Sequence, residues 1–282
     1  MARKNANQIG DFVSTAQMID KKFKNMGFAV DYSTGRRQTQ IFAGVLIFKI
    51  VLQLMPFYFL GTSWSLVDFL DFIVYNLPAF VVYVCSIQWI THIAIIRLQF
   101  KTLNKILKIL RYQPPWFVET YRLRKKKSIS SKILIRECGT FYDALCIQSG
   151  KINNAFAVQV LLIISMLLML IIFDSFQTCR MIQNLTEFDC GSVVYNILYF
   201  ETLMELVLPC VLIESEADRF SDNLHKINNN EIEDVVHLLI LQSCYQRIEF
   251  SICGIFTLSG KFIYSIFGAM TTFLIMLLQF EL

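Results

Sequence analysis

The chain has 282 residues, 55% of hydrophobic type with 25 Phe, and a formal net charge of +4. That apolar share exceeds the usual content of a soluble domain, and several long apolar runs indicate a multi-span membrane protein. Eight cysteines without a C-x-x-C pair, and histidines that are not paired nearby, argue against a metal or cofactor site; nothing forms an enzyme's nucleophile–base pair either.

Residues 1–40 form a polar N-terminal segment with basic clusters at Arg3, Lys4, Lys21, Lys22, Lys24, Arg36 and Arg37 and weak helical periodicity over Ile9–Phe28. No apolar core of a secretory signal occurs in it, so the first membrane helix would itself direct insertion. Residues 41–96 hold two predicted membrane helices, Ile41–Leu60 and Phe72–Ile96. The first contains Lys49, Gln53 and Pro56, and the proline predicts a kink. The connection Gly61–Asp71 has no Lys or Arg.

Residues 97–154 are a basic linker with thirteen Lys and Arg against three acids, including the run from Arg122 to Lys127. Contact with anionic lipid headgroups accounts for that run without invoking nucleic acid. Residues 155–213 hold two further spans, Ala155–Thr178 and Val193–Ile213. Between them lie one Arg and the sequon Asn184-Leu185-Thr186, whose short loop favours chance occurrence. Residues 214–250 are acidic and amphipathic, with Val235, Val236, Leu239, Ile240 and Cys244 at helical spacing. Residues 251–282 end in a fifth span, Lys261–Phe280, about 30 Å long as a helix.

Positive charge concentrates in alternate connections, which predicts a cytoplasmic N-terminus and an extracellular C-terminus. The fold class expected is all-α: a bundle of five transmembrane helices with cytosolic helical extensions. In this orientation Lys49 lies about 12 Å from the inner end of its helix and Glu205 about 18 Å from the outer end of its own. In a core about 30 Å thick those depths coincide, which predicts a Lys49–Glu205 ion pair; separate solvation in a water-filled cavity is the alternative. Glu201 is one turn from Glu205 on the same face.

The outer halves carry Phe57, Tyr58, Phe72, Tyr75, Tyr195 and Tyr199, which suit either an interfacial aromatic belt or the walls of a small-molecule pocket. Asp71, Asn76 and Asp174 would supply such a pocket's polar groups. Cys179 and Cys190 flank the second outer connection, where a disulfide is chemically reasonable.

The last helix has a polar stripe. Gln279, Ile275, Thr272, Gly268, Ser265 and Lys261 fall within about 40° of one line, with Met276 at about 60°. Leu277, Leu274, Met270 and Ile263 occupy the opposite face. The stripe fits helix packing or a wall bordering water.

Thr272-Phe273, five apolar residues and Gln279-Phe280 resemble the C-terminal signature of insect gustatory receptors, with Phe273 at a position where that family usually has Tyr. Gly254-x-Phe256-x-Leu258 also fits the family's last segment. Met18-Ile19-Asp20 and Met26-Gly27 resemble the family's cytosolic segment before its third span, which implies a chain beginning inside the family pattern, with two earlier spans absent. Tyr142–Cys146 and Asn153 resemble the lead-in to the fifth span.

The resemblance implies a plasma-membrane, ligand-gated, non-selective cation channel for small organic tastants, with its pocket among the outer aromatics. It implies a homo- or heterotetramer, with Val235, Leu239 and Cys244 at the cytosolic contact between subunits. Four copies of the stripe would then line a pore. Gln279 would form a ring near the outer end, Ile275 and Met276 an apolar gate, and Thr272, Gly268 and Ser265 the wall inward. Lys261 at the inner mouth would snorkel toward headgroups or pair with Glu249. Two other functions compete: a truncated, non-conducting scaffold or partner subunit, and a secondary transporter coupled through Lys49, Glu201 and Glu205.

Overall fold

The computed structural model describes residues 2–60, 66–112, 131–183, 190–227 and 232–281. They form helices α1 (Ala2–Asn25), α2 (Ser33–Leu60), α3 (Leu66–Tyr112), α4 (Ser131–Gln183), α5 (Cys190–His225), α6 (Glu233–Tyr245) and α7 (Gly260–Glu281). A small hairpin, β1 (Ser251–Ile252) with β2 (Phe256–Thr257), precedes α7. The protein is thus an all-α membrane protein. Among the described residues, four helical stretches are long and apolar enough to span a bilayer: Phe80–Arg111, Lys132–Met181, Val193–His225 and Gly260–Gln279. α2 is a 28-residue helix, about 42 Å at the helical rise.

The chain divides into two compact units. The first comprises residues 1–35, 92–155 and 210–251. In it, α1 buries Phe12, Ala16, Ile19 and Phe23, spaced three or four apart and so on one face. Phe23 stacks on Phe141 at 4.4 Å. Polar side chains complete the docking: Gln99 Nε2 donates to Ala16 O at 3.2 Å and to Asp20 Oδ1 at 3.0 Å, and Gln148 Nε2 donates to Phe12 O at 3.3 Å. Tyr32 donates to Asp20 Oδ2 at 2.6 Å, and its burial together with this bond raises the phenol's pKa. Asp31 accepts from the hydroxyl and backbone N–H of Ser33 at the start of α2, which holds its carboxyl below the usual range.

Tyr142 sits at the centre of this unit. Its ring stacks on Phe220 at 4.6 Å and meets Phe100 edge-on at 6.0 Å, while its hydroxyl donates to Gln246 O at 2.9 Å. α6 buries Val236 and Leu239 and exposes Leu238, Leu241 and Tyr245. Leu239 lies over Gly139 of α4, where an added β-carbon would collide with its side chain.

The second unit comprises residues 36–91, 156–209 and 252–282. Its core includes Trp89, Phe156, Val160, Ile164, Leu167, Leu206 and Val207. Trp89 donates its indole N–H to Leu206 O at 3.1 Å, close to Pro209. That proline has no N–H for the carbonyl of Glu205, so the helix is loosened one turn from the carboxylates. In the turn before β2, Cys253 and Gly254 both have positive φ (51° and 72°), and Ile255 N–H donates to Ile252 O at 2.9 Å. Two successive left-handed residues make the tight hairpin turn that glycine favours at its second position. Phe256 then stacks on Phe262 of α7 at 4.5 Å.

Candidate functional site

Two features of the second unit carry chemistry: a closed polar cluster among α2, α3, α4 and α5, and the open face of α7.

Lys49 of α2 is 1% exposed, the most deeply buried cation described. An unpaired ammonium there would be very costly, and the surroundings answer it. Its Nζ donates to Glu205 Oε2 at 3.1 Å and to Thr202 Oγ1 at 3.0 Å, and it also ion-pairs with Glu201. Glu201, Thr202 and Glu205 come together because positions i, i+1 and i+4 on α5 share one side of the helix. Thr202 Oγ1 itself donates to Leu198 O at 2.8 Å, so its lone pairs are free for the ammonium. The Lys49 ammonium also lies 5.6 Å from the centre of the Tyr83 ring, a cation–π distance.

Aromatic groups adjoin the cluster. Tyr195 and Tyr199, one turn apart on α5, stack at 6.3 Å. Tyr199 is within electrostatic reach of Asp174 and Tyr83, and Tyr83 of Glu201, Glu205 and Tyr195. The arrangement sets half-buried tyrosines and one carboxylate, Asp174, beside the Lys49 cluster. Such a surface can accept hydrogen bonds from hydroxyl- or amine-bearing molecules and stack on flat ones.

Of the residues singled out in the sequence, Asp174, Tyr195 and Tyr199 therefore converge. The side chains of Phe57, Tyr58, Asp71, Phe72, Tyr75 and Asn76 lie outside the described residues. So do the sequon, the basic run Arg122–Lys127 and the side chain of Cys190; Cys179 carries a free thiol. Tyr83 and Thr202 were not anticipated. Tyr83 stands seven residues after Asn76, two turns on along one face, and Thr202 follows Glu201 directly. Both were readable as companions of residues already chosen.

On α7 the apolar face is the one turned to the chain's own core: Ile266 is buried and Ile263, Met270, Leu274 and Leu277 are half-buried. Lys261, Ser265, Gly268, Thr272, Ile275, Met276 and Gln279 are exposed. No atom lies within 4 Å of where a β-carbon on Gly268 would stand. Ser265 and Thr272 donate to the carbonyls of Lys261 and Gly268, at 3.1 and 2.9 Å, so neither hydroxyl proton demands an outside partner. Phe267, beside Gly268, packs at 5.1 Å on Phe200, which lies between Tyr199 and Glu201. A ring contact thus joins the closed cluster to the open helix.

In the first unit, Val235 is half-buried and Cys244 exposed, whereas Leu239 is 4% exposed and serves this chain's own core. The exposed apolar face of α6 is Leu238, Leu241 and Tyr245.

The family model described as 7tm chemosensory receptor matches residues 10–282. The Drosophila melanogaster protein named Putative gustatory receptor 28a is 24% identical over 94% of this chain and 68% of its own length. Gustatory receptor 28b, carrying the same qualifier, is 22% identical over 66% of this chain and 45% of its own length. Gustatory and pheromone receptor 32a of the same fly is 28% identical over 30% of this chain and 19% of its own length.

Proposed function

The chain belongs to the seven-transmembrane chemosensory receptors, within the insect gustatory receptor family, and on that membership we propose that it acts as a ligand-gated, non-selective cation channel for small organic tastants. The observation that carries this reading is the direction of the α7 stripe. The seven stripe residues are exposed, and so are Tyr264, Phe267 and Phe273, while only Ile266 of α7 is fully buried among its described residues, so the helix offers most of its surface, stripe included, to something outside the chain. Copies of α7 around an axis would turn the stripe onto water. Gln279 amides would ring the outer end, and Ile275 with Met276 would close the path by dewetting. Thr272, Gly268 and Ser265 would continue the wall.

A ligand on Tyr195, Tyr199 and Asp174 would act through Phe200 on Phe267, and so on the tilt of α7. It can shift the gate only by binding the open arrangement better than the closed one. Lys49, Glu201 and Glu205 would hold α2 and α5 in register beneath the ligand. Subunits would meet through the exposed face of α6, Leu238, Leu241 and Tyr245, with Val235 and Cys244 at its edges. The receptor would reside in the plasma membrane with its N-terminus inside and its C-terminus outside.

A second reading, a non-conducting partner subunit, draws on the satisfied hydroxyls of Ser265 and Thr272, which could equally face a neighbouring helix. Recording from cells that express the chain separates the two. Ile275→Ser or Met276→Ser is expected to raise basal current several-fold, and Gln279→Ala to change ion preference. A measurable current that none of the three alters would make the stripe a packing face.

A further inference from the structure

The first unit contains a cavity of about 500 Å³ that the taste reading leaves unused. It opens between the end of α3 and the end of α5. α3 contributes Lys101, Lys105, Lys108 and Arg111, a spacing that puts all four on one helical face. α5 contributes Arg219 and Lys226 in the same way. Between the helices, Asn104 donates through Nδ2 to the Glu216 backbone carbonyl at 2.8 Å and to its Oε2 at 3.1 Å. Asn223 donates to Asn104 Oδ1 at 3.4 Å. Arg219 meets Glu216 Oε1 at 2.9 Å.

That network fixes the floor and neutralises Glu216, which is 4% exposed. Among the described residues, four lysines, Lys101, Lys105, Lys108 and Lys226, then remain around the cavity against one further carboxylate, Asp222. Among the described residues, Lys101, Lys105, Lys108 and Lys226 have no carboxylate within 4 Å. Like charges gathered over a rigid floor repel one another, and the arrangement makes physical sense when a multivalent anion joins them. Among the described residues no aromatic side chain lines the cavity, so these residues offer no platform for a nucleobase. The described lining residues also form no apolar wall for a neutral organic molecule.

We propose that this cavity binds a compact polyol carrying several phosphates, of the inositol-polyphosphate type, either free or as the headgroup of a phosphoinositide. Lysine ammonium groups serve as point charges on separate phosphates. Lys101 and Arg111 lie about 8 and 22 Å along α3 beyond Ile96, where the second predicted span ends. The cavity thus reaches from headgroup depth into the aqueous phase, and both sources are within range.

The test uses the full chain in nanodiscs, with binding as the readout and no current involved, so that failure here and failure of the channel reading are distinguishable. One arm titrates neutral-lipid discs with inositol hexakisphosphate. The other incorporates a few per cent of phosphatidylinositol bisphosphate and counts retained lipid by native mass spectrometry. Lys105→Gln with Lys108→Gln is the variant, and Lys226→Gln on the other helix is the second. Lys132→Gln with Arg136→Gln, basic residues of α4 outside this cavity, is the control. Soluble binding that weakens about tenfold or more in either cavity variant, and not in the control, supports the site with a free ligand. Lipid retention lost in the same variants supports the headgroup. No binding in either arm, or a loss matched by the control, overturns the proposal.

Discussion

The two features of the second unit handle polarity in opposite ways. Around Lys49 the charges meet partners inside the chain, Glu205, Thr202, Glu201 and the face of Tyr83, with the Glu201 side chain 39% exposed at the cluster's edge. Along α7 the polar residues face outward, and what they share is direction rather than contact. A closed polar cluster is explained by the chain that contains it. An outward stripe on a membrane helix points to something beyond that chain. Substitutions should therefore behave differently in the two places, with folding lost at the first and function changed at the second.

The largest effect is expected at Lys49. Lys49→Ala leaves two carboxylates facing each other without their cation, a loss of about 3–5 kcal/mol for a buried pair broken on one side. The yield of folded protein in detergent should fall sharply, and Lys49→Met combined with Glu205→Gln should recover much of it. If Lys49→Ala alone folds as well as the wild type, the cluster is open to water and the contrast fails.

This part of the molecule was legible in sequence because charge at depth is rare, so depth alone could match Lys49 with Glu205. The long apolar runs were legible for the same reason. Other features were not. Amphipathic spacing on α6 marks residues that need cover but does not say whose; Leu239 finds it over Gly139 of its own chain. The cations at 101, 105, 108, 219 and 226 were countable as charge, but their convergence depends on Asn104 reaching Glu216, a contact over 112 positions. The hairpin at 251–257 is too short to show alternation, though Gly254 was already noted there. The α1 docking through Gln99 and Gln148 gave no signal, since buried glutamines look like surface ones in sequence.

Next in size is Gly139→Ala, which forces a β-carbon into Leu239 in a packed core. Overpacking of this kind costs about 1–3 kcal/mol, readable as a lower thermal midpoint. It bears on the contrast because a neutral outcome would show that Leu239 can leave the core and serve as a subunit contact. Gly254→Ala comes third. Nothing is within 4 Å of the added carbon, so only the left-handed backbone resists it, at about 1 kcal/mol. A larger loss would mean that the hairpin contacts something outside this chain.

Phe200→Ala removes the ring contact with Phe267 between the two features. Ligand-evoked current should need several-fold more ligand, while basal current stays near the wild-type level. The smallest expected effect on folding is at Gly268. Gly268→Ala meets open space, and the isolated chain should change by less than about 0.5 kcal/mol. A clear change in current from so mild a substitution would place another helix, or the narrow part of a pore, against this position.

The central claim is that the α7 stripe borders water in the assembled receptor. Thr272→Cys, Ile275→Cys and Gln279→Cys, each in a chain whose exposed Cys244 and Cys253 are replaced by serine, allow that to be measured with a charged, membrane-impermeant thiol reagent. Phe273→Cys and Leu274→Cys serve as the intervening positions. The account predicts that the three stripe positions react and alter current, that reaction speeds up in activating ligand, and that the two intervening positions stay inert. Equal protection of all five positions while current flows would contradict it.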